Sequence, residues 1–230
     1  MGDVMIGMIT AGTVDIGCCE SLLASVAVGA VGAVRLEANG PYLDIGRNRV
    51  MEAFLYHEEY QHCDNLLFVD SDITFHPDNI KTLVDDQLPI VSGVYYSLFH
   101  DGKIRPVVYE TVRTEDKPLR MKPIDNWGAH PEEEHLVKVE AVGAGFLMIH
   151  RSVAADFTRH YSGSQIWFGI DHREGSQLGE DLSFCMRAGD HGIPIVVDRR
   201  VQVAHAKGII LNGPYKDAIP YTDQAPADPL

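Results

Sequence analysis

The chain has 230 residues, 45% hydrophobic and 23% charged, close to ordinary globular usage and unlike disordered, collagen-like or coiled-coil sequences. Its 19 Lys and Arg stand against 33 Asp and Glu, a formal charge of −14 that disfavours coating of bare nucleic-acid phosphates. The longest apolar run, Leu22 to Val34, falls short of the roughly 20 residues a membrane helix needs, so no span is expected.

Short apolar strands then alternate with amphipathic helices. Val4 to Thr10 reads as a strand, and Asp3 before it stands where a signal peptide would carry Lys or Arg. Val14 to about Val28 reads as a helix and Val34 to Ala38 as a second strand. Arg47 to Tyr60 places Val50, Met51, Phe54 and Leu55 on one helical face. Leu66 to Val69 is a buried strand running into Asp70, and His76-Pro77-Asp78-Asn79 carries the signals of a helix start. Pro89 to Tyr96 is the next strand. This order predicts an α/β fold whose mainly parallel sheet is flanked by helices on both faces, with ligands beyond the carboxyl ends of its strands.

From Thr111 to His135 the pattern dissolves into charged, proline-containing sequence, read as a long loop or flap and a candidate lid. Val137 to Ile149 restores the periodicity. Helices follow around Val153 to His160 and from Glu180 to Ala188, then strands at Ile193 to Val197 and Val201 to Ala204. The tail from Gly208, with Pro214, Pro220, Pro226 and Pro229, reads as irregular. The expected division is one domain over 1–207 and a tail over 208–230 that packs on or near the active site. Cys18, Cys19, Cys63 and Cys185 show neither C-x-x-C nor framework spacing, which predicts reduced thiols and a cytoplasmic location.

Three features are candidates to carry chemistry. Asp70-Ser71-Asp72 follows an apolar strand, and if extended geometry persists, alternation puts both carboxylates on one side as hard ligands for a divalent cation. The other reading is an acidic turn closing the strand. Glu180-Asp181 opens a helix, where the dipole stabilises acids by roughly 0.3–1 kcal/mol, so a good helix start accounts for the pair equally well. His205 is either a metal ligand or a strand-end histidine. All three stand at ends of regular elements, as active-site residues on α/β sheets do. Trp167 is a candidate stacking contact for an acceptor sugar or base, with core packing as its alternative.

In order, Arg47-Asn48, LLFVDSDITFHPDNI at 66–80, VEAVGAGFLMIHRSV at 139–153, GEDLSFCMRAGDHGIPIVVD at 179–198 and His205 make a pattern that resembles the GT-A-fold, nucleotide-sugar-dependent glycosyltransferases. The similarity is greatest to small, inverting, family-2-like bacterial and phage enzymes and covers Met5 to about Gly208. It implies a Rossmann-like sheet with a small additional β element, and transfer of a sugar from a nucleotide-diphosphate sugar, UDP by default, to an acceptor hydroxyl with inversion. By the same resemblance Asp70 and Asp72, with His205, hold Mn²⁺ or Mg²⁺, and Asp70, Ser71 and Asp72 meet the donor. Asp181, with Glu180 beside it, supplies the general base. Thr10 and Arg47 grip the nucleotide, and Gly143, Ala144 and Gly145 border the donor sugar and acceptor. The acceptor is a glycan, a protein or a modified nucleobase in DNA, and for a phage-encoded enzyme the location is the host cytoplasm.

Two other readings stay open. Asp70-Ser71-Asp72-Ile73-Thr74 also fits the D-x-D-x-T of haloacid-dehalogenase-like phosphohydrolases, with Asp70 as nucleophile and Asp72 as acid/base. Against it, two strand–helix units precede the motif, which in that family usually sits on the first strand. A third reading is a nucleotide-sugar or carbohydrate binder without transfer activity.

Overall fold

The computed structural model describes residues 3–38, 42–113, 119–125, 127, 134–207, 209–211 and 218–220. The chain opens with β1 (Asp3–Thr10), α1 (Ile16–Ala27), β2 (Ala33–Ala38) and α2 (Leu43–Tyr56). Next come β3 (Cys63–Asp70), β4 (Ile73–Thr74), α3 (Pro77–Asp85) and β5 (Ile90–Val94). The short strands β6 (Tyr96–Leu98), β7 (Ile104–Pro106), β8 (Val108–Val112), β9 (Arg120–Pro123), β10 (Leu136–Val139) and β11 (Ala141–Val142) lead to β12 (Phe146–His150) and α4 (Arg151–His160). The hairpin of β13 (Asp171–Arg173) and β14 (Ser176–Leu178) precedes α5 (Glu180–Asp190) and β15 (Ile195–Gln202), and β16 (Ala204–His205), β17 (Ile209–Leu211) and β18 (Ala218–Pro220) follow.

The central sheet has the strand order β10-β15-β5-β12-β3-β1-β2. β1 pairs parallel with β2 and β3, and β5 with β15, while β12 runs antiparallel between β3 and β5 and β10 antiparallel on β15. Five strands therefore point one way, and the carboxyl ends of β1, β3 and β5 share an edge with the amino end of β12. The strands are apolar on both sides because helices cover both faces. On one face Ile6, Met8, Leu67 and Val69 meet Cys18 of α1 and Ile80 and Leu83 of α3. On the other, Met5, Leu66 and Phe68 meet Val50, Met51 and Phe54 of α2, Phe157 of α4 and Phe184 of α5. Alternate residues of β1 and β3 thus go to opposite layers, as the two-residue period of a strand requires.

Several elements differ from the sequence reading. α2 starts at Leu43, not Arg47, and stops at Tyr56, with Glu58–Tyr60 as a separate 3₁₀ turn. The stretch read as one long loop contains β9, which pairs antiparallel with β8; β11 completes that three-stranded sheet, the additional β element. Residues 114–118 and 128–133, where the lid was expected, lie outside the described residues. The two expected strands after α5 merge into β15, whose register on β5 shifts between Val197 and Gln202. The tail is not irregular throughout, since β17 and β18 form an antiparallel pair, Ile210 opposite Ile219. Gly208 and the rest of the tail lie outside the described residues, as does the packing of the tail. No helix among the described residues is long and apolar enough to cross a membrane.

Candidate active site

β3 ends at Asp70, whose N–H donates to the Gly145 carbonyl at 2.9 Å, and Ser71 and Asp72 form a turn. Strand alternation therefore does not run through the motif, and the two carboxylates face different partners. The Ser71 carbonyl accepts from Asp15 N–H at 2.8 Å, tying the turn to the start of α1. Beyond it, β4 pairs with β16 so that Ile73 stands opposite His205, and Ala206 N–H donates to the Asp72 carbonyl at 2.8 Å.

That register brings His205 Nε2 to 3.2 Å and Lys207 Nζ to 2.8 Å from Asp72 Oδ2. His205 Nδ1 lies 2.9 Å from the Tyr96 carbonyl, which only accepts, so Nδ1 carries the proton. In the neutral ring Nε2 is then an acceptor facing a carboxylate, a pair completed by a proton or a cation, and a backbone carbonyl behind the imidazole is the usual way metal-bound histidines are oriented. Burial works to raise the Asp72 carboxyl, but hydrogen bonds from His205, when its ring carries both protons, and from Lys207 outweigh it and hold the group at about 2. An oxygen and an imidazole nitrogen converging where Lys207 already places a positive charge fit a hard divalent ion.

Asp70 turns the other way. Its Oδ1 accepts from Nη2 of the buried Arg47 at 3.1 Å, and Arg47 Nη1 bonds Glu180 at the head of α5. Burial alone would lower the Arg47 pKa, but Asp70, Glu180 and Asp181 raise it further and the guanidinium stays charged. Its Nε is buried without a hydrogen-bond partner among the described residues. The adjacent Asn48 accepts from Trp167 N–H at 3.1 Å and Phe168 N–H at 3.3 Å, fixing the chain ahead of β13. Trp167 itself is 3% exposed, and its indole N–H donates to the Ala154 carbonyl at 2.8 Å. The side chain expected to meet an acceptor is thus a core residue, since both its apolar ring and its single donor are satisfied inside.

α5 begins after Gly179, which offers no side-chain cap, and Asp181 Oδ1 accepts from Leu182 N–H at 2.8 Å. Burial, and then the neighbouring Glu180, push the Asp181 carboxyl up to about 6 against the opposing pull of Arg47. Tyr95, at the end of β5, is buried and its hydroxyl accepts from Gly145 N–H at 3.1 Å. Burial, Asp70 and Asp181 all raise that hydroxyl's pKa, so it stays protonated. The glycines around Ala144 follow from this packing. A Cβ on Gly143 would stand 2.2 Å from the Tyr95 hydroxyl, and one on Gly145 2.9 Å from both Asp70 Oδ2 and Tyr95. Ala144 between them is buried. Thr10 ends β1, where its hydroxyl donates to the Thr13 carbonyl at 2.6 Å and accepts from Gly12 N–H at 3.1 Å, shaping the loop into α1.

Sequence reasoning did not assign Tyr95 to the site or pair Lys207 with Asp72. Position offered a signal for both, a tyrosine closing a strand and a lysine two residues beyond His205. Asp70, Asp72, Glu180, Asp181, Arg47, Tyr95 and His205 thus lie on the sheet edge where open α/β folds bind ligands. The cluster combines a carboxyl near neutrality, an oxygen–nitrogen pair for a cation, and a buried arginine.

Comparison with solved structures decides the fold. A197 from STIV aligns over 99% of this chain and 98% of its own, with a TM-score of 0.57 and 15% identity. GalNAc-T7, solved with UDP, GalNAc and Mn²⁺, aligns over 88% of this chain with a TM-score of 0.54 and 9% identity. The chain has a GT-A fold. It spans 43% of the GalNAc-T7 chain. No protein-family model matches the sequence, and no curated protein matches it. Within this GT-A fold β3 lies between β12 and β1, and the acidic turn sits at the carboxyl edge of the sheet.

Proposed function

We propose that the chain is a glycosyltransferase that moves a sugar from a nucleotide-diphosphate sugar, UDP-linked by default, to an acceptor hydroxyl with inversion. The observation that carries this reading is the cluster at the head of α5, where Arg47 links Glu180 to Asp70 beside Asp181, whose carboxyl burial raises to about 6. A general base acts best when its pKa lies near the working pH. Asp181 takes the acceptor proton as the acceptor oxygen bonds the anomeric carbon. The bond from that carbon to the diphosphate oxygen breaks on the opposite face, and the electron pair leaves with the nucleoside diphosphate. Glu180, held by Arg47, positions the head of α5. Thr10 and Arg47 border the nucleotide, and Gly143, Ala144 and Gly145 border the donor sugar and acceptor.

Asp72 and His205 would hold Mn²⁺ or Mg²⁺; Asp70, expected as a third ligand, is turned to Arg47 and does not converge with them. When bound, that ion supplies positive charge to the leaving diphosphate. Lys207, 2.8 Å from Asp72 Oδ2, would be placed to meet the donor phosphates. Residues 1–207 would form the catalytic unit, in a cytoplasmic protein whose acceptor is a glycan, a protein or a modified nucleobase. The phosphohydrolase alternative gains no support, because Asp70 is engaged by Arg47 rather than presented for attack. The test is turnover of a panel of nucleotide sugars with Mn²⁺, read as release of free nucleoside diphosphate. One donor class should be consumed; phosphate release from phosphomonoesters with every nucleotide sugar left intact would overturn the assignment.

A further inference from the structure

Away from this edge, the carboxyl ends of α4 and α5 meet, joined by the stacked rings of Phe157 and Phe184 with centroids 5.1 Å apart. Asp156 and His160 lie one turn apart on α4, and His191 caps α5. One potential ligand atom from each of the three lies within 4.8 Å of the others, the one such trio of His, Cys, Asp or Glu among the described residues. The His160 and His191 rings approach to 4.2 Å between centroids, and Asp156 Oδ2 is 3.6 Å from His160 Nδ1.

Each imidazole has one nitrogen beside a protein oxygen. His160 Nδ1 is 3.0 Å from the Asp156 carbonyl, and His191 Nε2 is 3.2 Å from the Tyr161 hydroxyl. Such contacts orient the ring and leave one nitrogen per ring to coordinate. Two helix carboxyl ends supply negative potential at the same place. The His160 side chain is 45% exposed, so an ion has access. A tetrahedral ion bound at about 2.0–2.2 Å draws its ligands to roughly 3.4 Å from one another, a change that rotation of these surface side chains can make.

We propose that Asp156, His160 and His191 form a zinc site that clips α4 to α5, separate from the Asp72–His205 pair. Two imidazoles and one carboxylate suit Zn²⁺, with water completing the tetrahedron, whereas the carboxylate-rich sheet edge suits harder ions. Asp181 lies at the opposite end of α5, about 15 Å away along an 11-residue helix, so the clip acts on stability and not on transfer.

The experiment is a calorimetric titration of Zn²⁺ into metal-stripped full-length protein, repeated with His160→Gln, His191→Gln, Asp156→Asn and His205→Gln. A zinc equivalent that persists in His205→Gln is expected. It should weaken more than about a hundredfold in His160→Gln and His191→Gln, since losing an outer-shell partner alone costs about 10–100-fold. Asp156→Asn, a change of the same size at a half-buried position, should weaken the same equivalent, and Zn²⁺ should raise the melting temperature of the wild type but not of this variant. No zinc bound by the wild type, an unchanged equivalent in the Asp156, His160 and His191 variants, or an equivalent lost only in His205→Gln would overturn the proposal.

Discussion

Asp181 is subject to opposing influences. The head of a helix favours a carboxylate, yet burial and Glu180 favour the proton, and the proton wins up to about pH 6. Its ordinary value is 3.8, so the folded chain holds this proton more tightly than the unfolded chain does. The stabilisation is complete below the unfolded value and is lost as pH rises through about 6. Asp181→Asn keeps the acceptor oxygen for Leu182 N–H and removes the charge. We expect this variant to melt a few degrees above wild type at pH 7.5, by about 1–2 kcal/mol, with the difference vanishing below pH 4. Its transfer rate should fall by about 10²–10⁴-fold, the usual contribution of a general base. Melting curves at the two pH values and initial rates with one donor check both halves; unchanged transfer would remove Asp181 from its role.

Asp70, Asp72, Glu180, Asp181 and His205 were legible because acidic or basic residue types stand at the boundaries of strongly periodic segments. What joins them was not legible. The Asp72–His205 contact depends on β16 returning antiparallel to β4, a pairing between segments about 130 residues apart that no local pattern announces. Sequence leaves Trp167 open between an acceptor contact and core packing, because nothing near it reports that Asn48 draws its backbone inward. Likewise β9 was hidden by proline and charge, since edge strands tolerate both.

The docking of α3 on β15 makes a separate expectation. α3 starts as its sequence predicts, with His76 capping and Asn79 Oδ1 accepting from His76 N–H at 2.8 Å. Its carboxyl end places Asp86 against Asp198, at the register shift of β15, with Arg200 Nη2 2.7 Å from a carboxylate oxygen of each. Burial and then Asp198 raise Asp86 to about 6, and its Oδ2 is buried without a partner among the described residues. The stabilisation from this proton is lost as pH rises through about 6. Asp86→Asn substitutes an amide able to donate to Asp198 while its oxygen can still accept from Arg200. The variant should melt a few degrees higher at pH 8 and show no gain at pH 4, as read by thermal denaturation; equal melting temperatures at pH 8 would mean that Arg200 already neutralises the pair.

On the proposed function, the whole molecule must reconcile its charge of −14 with an anionic donor. Arg47 is already bonded to two carboxylates and Lys207 to Asp72, so little unspent positive charge faces the pyrophosphate within the described site. Asp72 and His205 would hold a divalent ion there, which would supply positive charge to the diphosphate and leave Lys207 available to it. UDP with EDTA should therefore leave the melting temperature unmoved, whereas UDP with Mn²⁺ should raise it. At a ligand concentration a hundredfold above Kd, linkage gives about 2.7 kcal/mol. For a chain of this length each kcal/mol shifts the midpoint by roughly 2–4 °C, so the rise should be about 5–11 °C. His205→Ala should abolish the Mn²⁺-dependent part. An equal rise from UDP in EDTA would mean that protein cations alone hold the diphosphate and that the acidic turn serves only to close β3.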